Sequence, residues 1–282
     1  MDTIMSAVQL LENGQSDVAI NTLKQYTPVA SDEEKFTIAD IYLQWGFLQE
    51  ASQLLKQLLK RYPDESDIKI MLADIYIELE DDKAAINLLG QINKDDPTYI
   101  QALLQLADLY QAEGLFEVTE RKLLEAKELS PDEPVIDFAL GEFLFSIGEY
   151  KRSTLFYETL LGFSTEFAGV SLHARLAEAY AASGEYEKAL QYFQKLETQN
   201  PDTLCKYGVT AFYADRKDIA INVWKKVIDI DPYYHTVYYE LAKAYQDEEL
   251  IEEAYETCKK GLEMDEYNKE LLYISGVIAH QL

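Results

Sequence analysis

A carboxylate that recurs at regular intervals is the clearest candidate for chemistry in this sequence. It always follows an alanine or a glycine, and it is found at Asp40, Asp74, Asp108, Glu142 and Glu178. Such a row could attract a ligand that carries lysine or arginine, because opposite charges steer association and set its register. The acids could equally solvate an exposed helix face, or they could be copies left by duplication of an ancestral unit.

Side chains suited to catalysis or metal binding form no recognisable motif. His173, His235 and His280 lie far apart, and neither Cys205 nor Cys258 has a second cysteine at metal-ligand spacing. The sequence contains no Gly-rich phosphate loop, no dinucleotide-binding motif and no Gly-x-Ser-x-Gly motif. It therefore predicts a protein that is not an enzyme and needs no cofactor or metal.

The composition argues against several kinds of partner. The 282 residues include 51 acidic and 25 basic ones, which gives a formal charge of −26. This charge repels phosphate backbones and anionic lipids, so neither nucleic acid nor a membrane is an expected partner. Only two cysteines, no signal-like start and no long apolar stretch favour a cytoplasmic location.

The residues around the carboxylates repeat along the chain. Ala39, Ala73 and Ala107 each begin an Ala-acid-x-Tyr pattern, and they are 34 residues apart (73 − 39 and 107 − 73). A glycine and later a proline keep the same period, as at Gly184 and Pro201. Small residues let two helices approach closely, glycine ends a helix, and proline is tolerated where the next one begins. With few glycines and prolines in total, the pattern predicts an all-α fold of stacked helical hairpins.

This pattern resembles the tetratricopeptide repeat (TPR) as it occurs in bacterial proteins with many repeats. The clearest unit spans residues 170–200, and its matching residues are Leu176, Ala177, Tyr180, Gly184, Tyr186, Ala189 and Phe193, followed by Pro201. Two units depart from the pattern. The unit at 134–169 has Leu144 in place of the tyrosine and about two extra residues before Val170, and the unit at 201–234 has Asp215 in place of the glycine.

The resemblance implies a single right-handed superhelix over residues 1–282, with about eight hairpins and a C-terminal helix. The predicted units are 1–31, 32–65, 66–99, 100–133, 134–169, 170–200, 201–234 and 235–268, followed by a final helix at 269–282. This last helix is unusually apolar for a terminal one. Either the natural chain continues beyond Leu282, or the helix packs on another chain and allows self-association.

In this family the first helix of each hairpin lines a concave groove that holds a segment of a partner. The resemblance and helical spacing place the acidic row in that groove, together with apolar side chains at Phe36, Ile70, Leu104, Phe138, Phe145, Phe212, Tyr213 and Tyr239. The carboxylates would set register and association rate, and the apolar residues would supply most of the affinity.

The expected function is therefore that of a scaffold or adaptor that binds a protein or peptide segment, with a preference for Lys/Arg-bearing partners. Two alternatives stay open. One is a regulator whose superhelix changes pitch when a peptide binds, and the other is a module that self-assembles through its final helix. The identity of the partner is not encoded in the sequence, because fold does not determine function.

Overall fold

The fold is all-α, as the sequence predicts. A computed structural model describes residues 2–282, and within this range it contains 17 α-helices, one short 3-10 helix and one pair of two-residue strands. Two compact units can be distinguished, one up to Ile136 and one from Asp137 to Leu282, and each is described by itself below. The repeat boundaries and the single superhelix over residues 1–282 stay predictions.

The first unit consists of helical hairpins, each formed by two consecutive helices that pack against each other. Its helices are α1 (Asp2–Glu12), α2 (Ser16–Tyr26), α3 (Asp32–Gln44), α4 (Leu48–Arg61), α5 (Ser66–Glu78), α6 (Asp82–Leu89), α7 (Tyr99–Ala112) and α8 (Phe116–Leu129), and the 3-10 helix Thr27–Val29 follows α2. Ser31 begins α3 with a capping box. Its hydroxyl accepts from the Glu34 amide at 3.2 Å, and its own amide donates to the Glu34 carboxylate at 2.9 Å.

The helices from Pro134 onward continue the hairpin pattern. They are α9 (Pro134–Ser146), α10 (Tyr150–Leu161), α11 (Leu172–Ala182), α12 (Tyr186–Phe193), α13 (Pro201–Tyr213), α14 (Lys217–Ile230), α15 (His235–Asp247), α16 (Ile251–Met264) and α17 (Lys269–Ala279). Strands β1 (Glu166–Phe167) and β2 (Val170–Ser171) pair antiparallel where the sequence has extra residues before Val170. Ala168 and Gly169 form the turn, and both have a positive φ, as tight hairpin turns require.

Helix ends are closed in the same way with and without glycine. After α11, Gly184 has a φ of 81°, and the Glu185 amide donates to the Tyr180 carbonyl oxygen at 2.8 Å. After α13, Asp215 has a φ of 58°, and the Arg216 amide donates to the Ala211 carbonyl oxygen at 2.8 Å. These backbone hydrogen bonds hold the non-glycine residue in the left-handed region, so the hairpin is kept where the expected glycine is missing.

Small residues allow close helix contact inside each unit. Ala39 on α3 and Ala73 on α5 are fully buried in the first unit. In the second unit, a Cβ atom added to Gly141 on α9 would lie 2.7 Å from Cε1 of the Tyr157 ring on α10. Since real Cβ atoms need more room than this, the ring takes the place that a larger side chain would fill.

Candidate binding surface

The three carboxylates of the first unit have no cationic partner among the described residues. Asp40 accepts a hydrogen bond from Gln44 Nε2 at 2.9 Å, and Asp74 accepts one from Gln105 Nε2. Asp108 is exposed and takes part in no ion pair within residues 2–282. These three acids stand at the same position of α3, α5 and α7, so one face of the unit carries negative charge that no lysine or arginine neutralises.

The surroundings of two of these carboxylates disfavour their charged form. Loss of hydration raises the pKa of Asp74, although the hydrogen bond from Gln105 opposes this, and the nearby Glu78 charge raises it further. Loss of hydration also raises the pKa of Asp108, because the neighbouring protein replaces part of its water even though the side chain reaches solvent. Both groups would be stabilised in their charged form by a bound cation.

A raised carboxylate pKa makes the folded state bind protons more tightly than the unfolded chain does. Stability contributed by Asp74 and Asp108 should therefore fall as pH rises above about 4, the usual carboxyl pKa, until both groups are ionised in the folded state. We expect the double variant Asp74→Asn, Asp108→Asn to be more stable than the wild type at neutral pH, because asparagine keeps an acceptor for Gln105 without the charge. Urea unfolding between acidic and neutral pH measures this.

A single Asp64→Asn variant is the control, since it removes a charge from an exposed turn. The expectation is wrong if the double variant differs from the wild type by the same amount at every pH.

The carboxylates of the second unit are paired internally. Arg175 on α11 donates from Nε to Glu142 Oε1 at 2.8 Å and from Nη2 to Glu142 Oε2 at 2.9 Å. The buried Tyr157 hydroxyl donates to the same carboxylate at 2.7 Å. Arg175 also lies 3.4 Å from Glu178, which is contacted in turn by Lys206 on α13 at 2.5 Å. We call Tyr157, Glu142, Arg175, Glu178 and Lys206 the charge ladder.

The residues that contact the acidic row share one sequence position that the prediction missed. The acidic row occupies the position directly after the small packing residue of each hairpin. Gln105, Arg175 and Lys206 lie three residues before that position in their own hairpins, and each contacts the carboxylate of the preceding hairpin. Residues three apart lie on the same helix face, so this periodic position was available as a signal. In the hairpin that follows Asp40 the equivalent residue is Met71, which offers no hydrogen-bond donor to Asp40.

The predicted apolar residues of the first unit differ in exposure. Phe36 is half-buried and lines a cavity of 530 Å³ with Asp32, Glu33 and Tyr62. Leu104 is half-buried, whereas Ile70 is only 5% exposed. Ile70 therefore belongs to the interior and offers little surface to a partner.

The aromatic residues from Phe138 to Phe145 are engaged within the second unit. The ring of Phe138 lies 5.0 Å from that of Phe167 on β1. Phe145 lies beneath the Arg175 guanidinium at 5.3 Å and lines a cavity of 660 Å³ with Glu178. The structure thus brings Phe145 and Glu178 to one cavity.

The remaining aromatic residues lie on α13 and α15. Phe212 contacts Tyr213 edge-on at 6.2 Å, and Lys243 lies over its ring at 5.2 Å. Tyr213 is 63% exposed and stacks on Tyr186 at 5.6 Å, and Tyr239 is half-buried. None of these three residues lines the cavity of Phe145.

No group of three or more His, Cys, Asp or Glu side chains is placed to hold a metal ion among the described residues. None of the helices within residues 2–282 combines the length and apolar character needed to cross a bilayer.

These hairpins, with small residues at their helix contacts and one recurring position on the first helices, define a helical-repeat protein. The sequence profile of "YpiA-like, tetratricopeptide repeats" matches residues 111–165. Tetratricopeptide-repeat profiles match residues 43–105, 170–203 and 235–268. The chain belongs to the tetratricopeptide-repeat family, which confirms the predicted family.

Individual proteins agree with this assignment. The chain is 39% identical over 278 residues to the TPR repeat-containing protein YpiA of Bacillus subtilis (strain 168). The alignment covers 98% of this chain and 66% of that relative, so the chain spans slightly less than two thirds of the relative's length.

Two solved structures share the fold. One is the C-terminal part of a TPR repeat-containing protein from Cytophaga hutchinsonii, with a TM-score of 0.68, 16% identity, and coverage of 84% of this chain and 98% of that one. The other is YrrB, described as a TPR protein with an unusual peptide-binding site, with a TM-score of 0.56, 15% identity, and coverage of 69% and 97%. At these identities the likeness shows the fold alone.

Proposed function

We propose that the protein is a non-enzymatic, cytoplasmic interaction scaffold and that its first unit binds a Lys/Arg-bearing segment of a partner protein. One observation carries this proposal. Asp40, Asp74 and Asp108 occupy equivalent positions on three successive first helices, and none is ion-paired within the described residues. The equivalent Glu142 and Glu178 are already paired with Arg175 and Lys206. The basic ligand is therefore assigned to the first unit only.

Gln105 adds a hydrogen-bond acceptor to this face. Its amide nitrogen donates to Asp74, and its carbonyl oxygen is buried without a donor in the described structure. A lysine ammonium or arginine guanidinium carries several N–H donors and no acceptor, so it could donate to Asp74, and a shift of the Gln105 side chain would let it donate to the buried oxygen as well. A bound cation would also stabilise the charged forms of Asp74 and Asp108, which loss of hydration disfavours.

Apolar contacts of this unit would add affinity beside the charges. Phe36 lies in a cavity of 530 Å³ that is also lined by Glu33, Glu65 and Asp67. The methylene groups of a lysine or arginine side chain could pack on the Phe36 ring while the charged end stays near a carboxylate. The carboxylates would then decide which partner binds and how fast, and the apolar surface would slow dissociation.

The test measures binding of a fluorescein-labelled octapeptide of alternating lysine and leucine to the full chain by fluorescence anisotropy. In the triple variant Asp40→Asn, Asp74→Asn, Asp108→Asn, the dissociation constant should rise at least about tenfold, because each lost charge pair is worth about 0.5 to 1 kcal/mol. Affinity of the wild type should also fall between about 20 mM and about 150 mM salt, as screening increases.

The matched control is Asp64→Asn, Glu113→Gln, Glu128→Gln, which removes the same formal charge from exposed positions of the same unit. It should bind the peptide nearly as well as the wild type. An equal loss in both triple variants would show attraction to net charge rather than to this face. Unchanged binding in the first triple variant would reject the proposal.

Self-association and a peptide-responsive change of pitch are the two other predicted roles, and fewer observations support them. Self-association through residues 269–282 is favoured by the exposure of Leu272, Tyr273 and Val277 on α17, at 50%, 75% and 38%. Leu271 and Ile278 on the opposite side are buried against the preceding helices. A peptide-responsive change of pitch has no comparable support and stays an alternative.

A further inference from the structure

A separate cavity of the first unit is lined by polar residues of α2, α3 and α4. Its volume is 390 Å³, and the polar side chains in its wall are those of Lys24, Thr27, Lys35, Tyr42, Glu50, Gln53 and Gln57. It shares no residue with the acidic row or with the cavity of Phe36. The proposed function therefore leaves it without a role.

Tyr42 contributes a buried hydroxyl that no described group satisfies. The residue is 3% exposed, its ring meets Phe47 edge-on at 6.3 Å, and its hydroxyl has no hydrogen-bond partner. A buried hydroxyl normally finds an acceptor, because leaving it unpaired is costly. Tyr180, the tyrosine at the equivalent position of a later hairpin, donates to Glu158 at 2.5 Å. The position thus accommodates an acceptor elsewhere in the chain.

The cavity is also rich in donors for a protein of net charge −26. Lys24 donates to Glu50 at 2.9 Å and Lys35 lies 3.6 Å from Asp32, so each ammonium has donors left over. Gln53 and Gln57 add side-chain amides. The wall contains these two ammonium groups and the Glu50 carboxylate, and Asp32 outside the wall balances Lys35, so the cations are neutralised but still have N–H donors to offer.

We propose that this cavity binds a carboxylate, which accepts hydrogen bonds from the Tyr42 hydroxyl and from the ammonium groups of Lys24 and Lys35. A carboxylate oxygen can accept several donors at once, and its charge strengthens each bond. It would supply the acceptor that Tyr42 lacks and would accept from the N–H donors that Lys24 and Lys35 have left over. The site would be independent of the acidic face, so failure of either proposal leaves the other standing.

The first test titrates the full chain with three small probes and follows the side-chain amide signals of Gln53 and Gln57 by NMR. N-acetyl-glutamate N-methylamide presents a side-chain carboxylate, N-acetyl-alanine presents a terminal one, and N-acetyl-glutamine N-methylamide is the neutral match of the first. We expect saturable shifts with at least one carboxylate probe and none with the glutamine probe. The stronger of the two carboxylate probes tells whether a partner's side chain or its C-terminus is the source.

The second test uses Tyr42→Phe, which keeps the ring and removes only the hydroxyl. Its melting temperature should equal or exceed that of the wild type, because an unpaired buried group is lost, while affinity for the better probe should fall at least about tenfold. The control Tyr180→Phe should lower the melting temperature, since Glu158 loses a donor, and should leave probe binding unchanged.

Three outcomes would overturn the proposal. The glutamine probe could bind as well as the glutamate probe, Tyr42→Phe could bind with wild-type affinity, or no probe could give a saturable shift. The last result would mean that Tyr42 is satisfied by water alone.

Discussion

Replacing Gly208 by alanine should lower the free energy of unfolding by about 2 to 3 kcal/mol, despite the better helix propensity of alanine. Gly208 lies on α13 directly against Trp224 of α14. An added Cβ would be 2.5 Å from Cδ1 and 2.6 Å from Cε2 of the indole, far inside van der Waals contact. The indole is fully buried, and its Nε1 is 3.4 Å from the Cys205 carbonyl oxygen to which it donates, so the ring has no free space to enter. Urea unfolding followed by circular dichroism measures the loss.

Gly276→Ala is the matched control for this variant. It is also a glycine within a helix, α17, but an added Cβ there meets nothing within 4 Å. It should be neutral or stabilise the protein by up to about 1 kcal/mol, through helix propensity alone. If Gly208→Ala were as stable as the wild type, the close contact between α13 and α14 would have to relax at no cost, and the packing argument would fail.

Replacing Arg175 by methionine should cost about 1 to 2 kcal/mol in stability, because it removes the group shared by two carboxylates. Glu142 and Glu178 would then lie near each other with only Lys206 as cation, and the Arg175 contact with the Phe145 ring would be lost as well. The side chains involved are 21% to 31% exposed, so solvent screening keeps the cost below that of a fully buried pair. The loss should shrink at high salt, since added ions screen the remaining repulsion.

Arg216→Met controls for the removal of one positive charge from an acidic chain. Arg216 is 46% exposed and lies 3.5 Å from Asp218, which is 69% exposed, so this pair should contribute less than about 0.5 kcal/mol. A cycle of Arg175→Met with Tyr157→Phe measures whether the two donors to Glu142 act together. Additive effects of these two changes would show that the charge ladder is a set of separate contacts.

Much of the fold could be predicted because each local signal agreed with the same period. Small residues at Ala39, Ala73 and Gly141 marked helix contacts, and glycines marked helix ends. The rule that a glycine ends each first helix did not cover Asp215. Backbone hydrogen bonds hold this residue in the left-handed conformation that the sequence led us to expect of glycine. The sequence indicated the β-hairpin at Glu166–Ser171 only as extra residues before Val170.

The candidate surface was less predictable than the fold. Helical spacing placed Ile70 on the same face as Phe36, but neighbouring helices bury Ile70 and leave Phe36 half-buried. Exposure of this kind depends on how closely adjacent helices approach, which spacing within one helix does not describe. The unpaired hydroxyl of Tyr42 likewise has no sequence signature, because it results from the absence of an acceptor in the folded surroundings.

The sequence by itself determined the helical repeats, their family and the recurrence of an acid at one position, since these depend on residue type and period alone. Only the tertiary structure decided which of those acids are neutralised. Arg175 reaches Glu142 across 33 residues and Lys206 reaches Glu178 across 28, whereas Asp40, Asp74 and Asp108 are left without a cation among the described residues. The physical reason is that an ion pair forms at a few ångströms between side chains of different hairpins, and that distance is set by how the hairpins pack.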